Sequence, residues 1–239
     1  MEKSKSSIQV IESTETNFQY LNLIGGLFVA TLLISNTISS KPWQVGPFVF
    51  PGGSILFPLS YIFGNILTEV YGYARSRQVI WTGFIANALM ALIYWITITL
   101  PPAPFWSQQS AFAATLGQVP RIVFASLIGY LGGEFINSFV LAKMKLWTRG
   151  RYLWTRTIGS TVTGQAVDTF AFLAIAFLGV WPLKYIIATG LSLYSFKVIY
   201  EVLATPATYA VVDFLKRTEG IDTYDVRTNF SPFRWTGQS

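Results

Sequence analysis

The chain has no histidine and no cysteine among its 239 residues. Their absence excludes serine–histidine hydrolase chemistry, thiol nucleophiles, disulfides and the usual zinc ligand sets. Charge is also scarce, at 12% of residues, where a soluble domain carries about a quarter. The Walker pattern GxxxxGK[ST] does not occur, so any ATP-driven step would need a partner protein. The groups left for polar chemistry are carboxylates, amides, hydroxyls, Lys and Arg. No metal or cofactor is expected from this set.

What the chain has in quantity is apolar sequence, with 52% hydrophobic and 16% aromatic residues. It comes in six runs, 20–38, 54–71, 80–100, 121–142, 157–180 and 185–212. Each is close to the ~20 residues that cross a bilayer. The expected fold is therefore an all-α polytopic membrane protein with six transmembrane helices. Residues 1–18 form a polar N-terminal tail, 19–212 the transmembrane domain and 213–239 a C-terminal tail. The first run is longer than a signal-peptide core and lacks a small-x-small exit, so it reads as an uncleaved span. Pro58 and Pro206 fall inside runs, where they kink or locally open a helix.

The net charge of +6 would suit nucleic acid, but its distribution points to a membrane. Arg75 and Arg77 follow the second run, and Lys143, Lys145, Arg149, Arg151 and Arg156 lie around the link between the fourth and fifth. With the basic residues of both tails, 13 of the 17 fall on one side; only Lys41, Lys184 and Arg121 fall on the other. The positive-inside rule then places both termini in the cytoplasm of a bacterial-type inner membrane. The first and fourth spans start on opposite sides, so the chain divides into two three-span halves of inverted topology, a transporter plan. No residue-by-residue similarity links the halves. A protein of this size can act as a monomer or a homodimer. The outer loop 101–118 is charge-free and aromatic, suited to lying on the membrane or folding over an entrance.

Ionisable groups at mid-membrane are costly and normally face a cavity or a partner. Here they come in pairs at helical spacing, which puts both members on one face: Asn65 and Glu69, Glu134 and Asn137, Gln165 and Asp168, Lys197 and Glu201. Counting the helical rise of about 1.5 Å per residue from the span ends puts Asn65, Glu134, Asp168 and Lys197 near the midplane. These residues, with Asn137 and Gln165, are the candidate substrate-binding set. Asn36, Glu69, Arg121 and Glu201 are candidates for gating or an entrance. The plainer reading is that such groups only hold helices together, at about 1 kcal/mol each. On that reading Lys197 neutralises Asp168 or Glu134, Arg121 snorkels, Glu69 pairs with Arg75 or Arg77, and Asn36 caps a helix. The Trp residues mostly fall at span ends, as an interfacial belt does; Trp43 and Trp106 are placed to touch a ligand.

Several motifs together resemble the queuosine precursor transporter family, also known as vitamin uptake transporters. They are SNTISSK, FPLSYIFGNILTEVYGYARSR, VPRIVFASLIGYLGGEFINSFVLAKMK, RTIGSTVTGQAVDTFAFLAIAF and SFKVIYEVLATP. The resemblance implies a six-helix inner-membrane importer of 7-deazaguanine bases such as preQ0 or preQ1, which is not an enzyme and does not bind nucleic acid. Members of that family often carry an acidic residue where this chain has Asn65. A guanine-like base presents a ring N–H beside an exocyclic amine, which one carboxylate accepts, and a carbonyl that suits Lys, Asn or Gln. A transporter for another vitamin-like solute is the nearest alternative, and two further classes share parts of the pattern. A substrate-binding component serving a separate ATP-driven module has the same residues, and an intramembrane carboxylate hydrolase lacks a nucleophile motif here.

Overall fold

A computed structural model describes residues 18–147 and 153–220. The described residues form seven α-helices: α1 (Leu21–Ile38), α2 (Phe57–Tyr71), α3 (Tyr73–Thr99), α4 (Gln109–Leu116), α5 (Val119–Trp147), α6 (Leu153–Phe177) and α7 (Leu183–Glu219). Three helical stretches among the described residues are long and apolar enough to cross a membrane: Leu21–Ile38, Ala74–Thr99 and Gln109–Gly133. Val162–Phe177 is a shorter apolar one. Large apolar side chains such as Leu23, Leu89, Leu191 and Leu203 point outward, as they do where lipid is the solvent. This is a helical membrane protein.

The all-α expectation needs one correction. Between α1 and α2 the chain forms an antiparallel hairpin, β1 (Pro42–Val45) with β2 (Phe48–Pro51), followed by a 3-10 turn over Gly52–Ile55. Val45 pairs with Phe48, leaving a two-residue loop in which Gly46 has φ 56°. A glycine at the first loop position is what a two-residue hairpin turn asks for. The hairpin is fixed onto the end of α1. A Cβ on Gly52 would overlap the Ile38 carbonyl, and one on Gly53 would overlap Ser39 and the Ser35 carbonyl. Ser35 Oγ donates to the Gly53 carbonyl at 3.1 Å, and the Gly52 N–H donates to the Lys41 carbonyl at 2.7 Å.

A second correction concerns the link after α2. It was expected to run to residue 79 as a basic loop, yet α3 begins at Tyr73. Gly72, with φ 84°, turns the chain by itself, a conformation only glycine adopts without strain. Arg75 and Arg77 thereby sit on the first turns of α3. Arg75 donates to the Tyr71 carbonyl at the end of α2 (3.2 Å) and lies 4.4 Å over the Phe18 ring; Arg77 is buried. The link 100–118, for its part, contains α4, anchored by Gln109 Nε2 to the Ile98 carbonyl at 2.9 Å.

The packing is divided along α7. Its C-terminal part joins Ile24 and Phe28 of α1 and Ile66, Leu67, Val70 and Tyr71 of α2 through Val212 and Leu215. Its first part, through Ile186, joins Ile122 and Ala125 of α5 and Phe172, Leu173, Ala176 and Phe177 of α6. Among the described residues, α5 and α6 make the most extensive helix–helix contact. Gly129 and Gly133 allow it, because Cβ atoms there would come within 2.9 Å of Asp168 Oδ1 and 2.8 Å of Asp168 Cβ.

Candidate functional site

The structure joins two of the candidate residues directly. Lys197 Nζ on α7 donates to Asp168 Oδ2 on α6 at 2.5 Å. The Lys side chain is 2% exposed and the Asp 23%. Asp168 lies against the bare backbone of α5 at Gly129 and Gly133, so its carboxylate is held between three helices. Gln165 lies one turn before Asp168 on α6 and is half-buried. Lys197 lies 14 residues inside α7, about 20 Å from its start, well away from either helix end.

A ring ladder reaches α7 at the level of Lys197. Trp43 of β1 packs on Phe50 of β2 with centroids 5.2 Å apart, Phe50 on Phe196 of α7 at 6.0 Å, and Phe196 on Tyr200 at 6.1 Å. Trp43 is pinned from behind, its Nε1 donating to the Pro51 carbonyl at 3.1 Å and Ser54 Oγ at 3.2 Å.

The other candidates are placed elsewhere. Asn36 is buried, its amide donating to Asn87 Oδ1 at 2.7 Å and accepting from Ser126 Oγ at 3.2 Å, so it ties α1 to α3 and α5. Arg121 caps the end of α6, with Nε and a terminal nitrogen on the carbonyls of Ile175 and Leu178, both at 2.5 Å. Glu69 pairs with Lys216 of α7 at 2.9 Å, and the Gly72 turn draws Arg75 back onto the end of α2. Glu134 and Asn137 lie on α5 and Glu201 on α7; their side chains fall outside the described residues.

Asn65 is exposed on α2 and does not share the depth of Lys197. α2 and α7 run in the same direction, since Phe50 meets Phe196 before α2 starts and Tyr71 meets Glu219 where it ends. Between these anchors Ile66 and Leu67 share a cluster with Val212 and Leu215. Asn65 is therefore level with residues just before Val212, roughly 20 Å along α7 from Lys197. The sequence estimate assumed a full-length span, but α2 has 15 residues and the hairpin precedes it.

Sequence reasoning also missed residues. Asn87, buried in α3, was legible as a lone amide in an apolar run. Glu219 was not. Its carboxylate accepts from the N–H groups of Gln19 (3.0 Å) and Tyr20 (2.8 Å) and from the Tyr71 hydroxyl (3.0 Å). It thus closes one end of the bundle across 200 residues of sequence.

The sequence profile of the putative vitamin uptake transporter family matches residues 51–211, which hold α2 to most of α7 and with them the Asp168–Lys197 pair. The chain belongs to this family. It is a family of transporters, not of enzymes. The chain is similar to a probable queuosine precursor transporter of Bacillus subtilis (strain 168), with 27% identity over 168 residues, 70% of this chain and 73% of that protein. It is also similar to the queuosine precursor transporter of Escherichia coli (strain K12), with 25% identity over 143 residues, 60% of this chain and 62% of that one. No solved structure matches it.

Proposed function

We propose that this transporter imports a queuosine precursor, a 7-deazaguanine base such as preQ0 or preQ1, and that the Asp168–Lys197 pair is the centre of its binding site. The pair carries the proposal. A carboxylate and an ammonium are held together deep in apolar helices by glycine-tight packing, where packing alone would favour apolar residues. The carboxylate accepts the base's paired N–H groups, and the ammonium contacts its carbonyl. Gln165, one turn away, supplies an amide, and Glu134 and Asn137 of α5 complete the acceptor set. Asn65 belongs to the route below the site.

Six spans, α1, α2, α3, α5, α6 and α7, cross the inner membrane. α2 is about 22 Å long, and the hairpin before it completes the crossing of a core about 30 Å thick. The start of α1, the α2–α3 turn and the end of α7 meet at one end of the bundle, along with Arg75, Arg77, Lys216 and Arg217. The positive-inside rule assigns that end to the cytoplasm. The base is exposed alternately to the two sides, and the clasp of Glu69 with Lys216 and of Glu219 with α1 is the cytoplasmic gate. Glu201, one turn beyond Lys197, lines the way to it, while Arg121 and Asn36 brace the outer half.

The test is uptake of labelled preQ0 and preQ1, or queuosine in tRNA, in cells unable to make the precursor. Expression of the chain is expected to restore both, and the Asp168→Asn variant is expected to lose them at normal membrane abundance. Normal uptake by that variant refutes the site; no uptake by the unaltered chain refutes the substrate.

A further inference from the structure

We infer that the ring ladder Trp43–Phe50–Phe196–Tyr200 is the stacking surface for the flat face of the transported base, and that it makes the hairpin a specificity element. This rests on the substrate reading above, which concerns only the edge of the base.

Three observations carry it. First, the ladder is at the right place. Phe196 directly precedes Lys197, and Tyr200 lies one turn on, between Phe196 and Lys197 around the helix. These rings thus stand at the level of α7 where the edge of the base would meet Lys197. Second, the ladder is at the wrong place for an interfacial belt. Phe196 lies 13 residues inside α7, about 20 Å from its start, whereas belt aromatics gather at the membrane surfaces. The Trp43 N–H, which a belt residue would turn to headgroups, is spent on Pro51 and Ser54 within the hairpin. Third, the surface is rigid and open. Gly52 and Gly53 weld the hairpin to α1, and Trp43 backs Phe50. Phe196 is nonetheless 38% exposed, and Phe50 and Tyr200 are half-buried. Aromatic area that is held in place but left uncovered can bind a flat ring with little ordering cost.

Base stacking on aromatic side chains is sequence-tolerant because every base has a π-face. The ladder thus selects flat rings as a class, and the polar pair selects among them.

The experiment measures initial rates of labelled preQ1 uptake against concentration for Phe50→Leu, Phe196→Leu and Tyr200→Leu, each beside its aromatic replacement, Phe50→Tyr, Phe196→Tyr and Tyr200→Phe. Melting temperatures of the purified proteins run alongside. The Leu variants are expected to raise KM about five- to a hundredfold, the range that loss of one stacking contact gives, with Vmax and melting temperature near those of the unaltered protein. The aromatic replacements are expected to restore KM. If Leu and aromatic variants share one KM, or if no Leu variant shifts it, stacking is refuted. If stacking fails in this way while Asp168→Asn still abolishes uptake, the substrate reading stands. Tyr200 and Phe196, on the helix face, keep the test open should Phe50→Leu disturb the hairpin.

Discussion

Two acid–lysine pairs hold α7 to its neighbours, and they differ in nearly everything but chemistry. Asp168–Lys197 lies midway along its helices, with the lysine 2% exposed. Glu69–Lys216 lies at the basic end, with the glutamate 59% and the lysine 23% exposed. The first pair is largely shut off from water, its lysine almost completely. Removing Lys197 strands the Asp168 carboxylate in apolar surroundings, which costs far more than the pair itself contributes. The second pair trades one hydrated contact for another and is worth about 0–1 kcal/mol. A contact that weak breaks and reforms readily, as a gate must. A buried pair changes state only when something takes its place, as a substrate would.

The sharpest way to break this contrast is Lys197→Met, which leaves Asp168 unpaired. It is expected to cost about 3–5 kcal/mol, seen as a large fall in melting temperature and in membrane abundance. The double variant Asp168→Leu, Lys197→Met is expected to recover most of that stability and none of the uptake, which separates the pair's chemistry from its packing. Gly133→Val comes next. Its side chain would push into Asp168 and the Gly164 carbonyl, which lie within 2.9 Å of the added Cβ; overpacking of this kind costs about 1–3 kcal/mol, read by thermal unfolding. Asn87→Leu is expected to cost about the same, because it leaves the buried Asn36 amide without its acceptor.

At the exposed end the effects shrink. A double-mutant cycle on Glu69→Ala and Lys216→Ala is expected to give a coupling below about 1 kcal/mol, weakening as salt rises. Glu219 gives the smallest signal. Partial burial pushes its carboxyl up, but the N–H groups of Tyr20 and Gln19 and the Tyr71 hydroxyl outweigh that and hold it below the ordinary value of about 4.5. With a depressed folded value, its contribution is present above about pH 4.5 and is lost as pH falls through the folded value. Melting curves from pH 7 downward are expected to show a small acid-side loss in the unaltered protein that Glu219→Gln lacks.

How much of this could be read beforehand depended on range. The helices were legible because apolar runs of span length leave few alternatives, and Asp168 and Lys197 stood out because charges in such runs are expensive. Their pairing was one of two options for Lys197, since a long flexible side chain reaches acids on either neighbouring helix. The hairpin was hidden by its brevity. Strands of four residues show too little alternation, although the Gly46-Pro47 turn marked the site. Gly72 was hidden because the polar, basic stretch 73–79 reads as a loop, whereas it forms the first turns of α3. The depth of Asn65 was misjudged because it depends on where α2 starts. Glu219 had no local signal at all, since its partners lie 148 to 200 residues away.

The central claim is that the buried pair receives the base, and ligand-induced thermal stabilisation of the purified protein tests it most directly. Across a panel of purines and 7-deazapurines, the unaltered protein is predicted to gain melting temperature with preQ0 or preQ1 in a concentration-dependent way. The Asp168→Leu, Lys197→Met protein, folded and of similar intrinsic stability, is predicted to gain none. Equal stabilisation of both proteins by the same base would contradict the account.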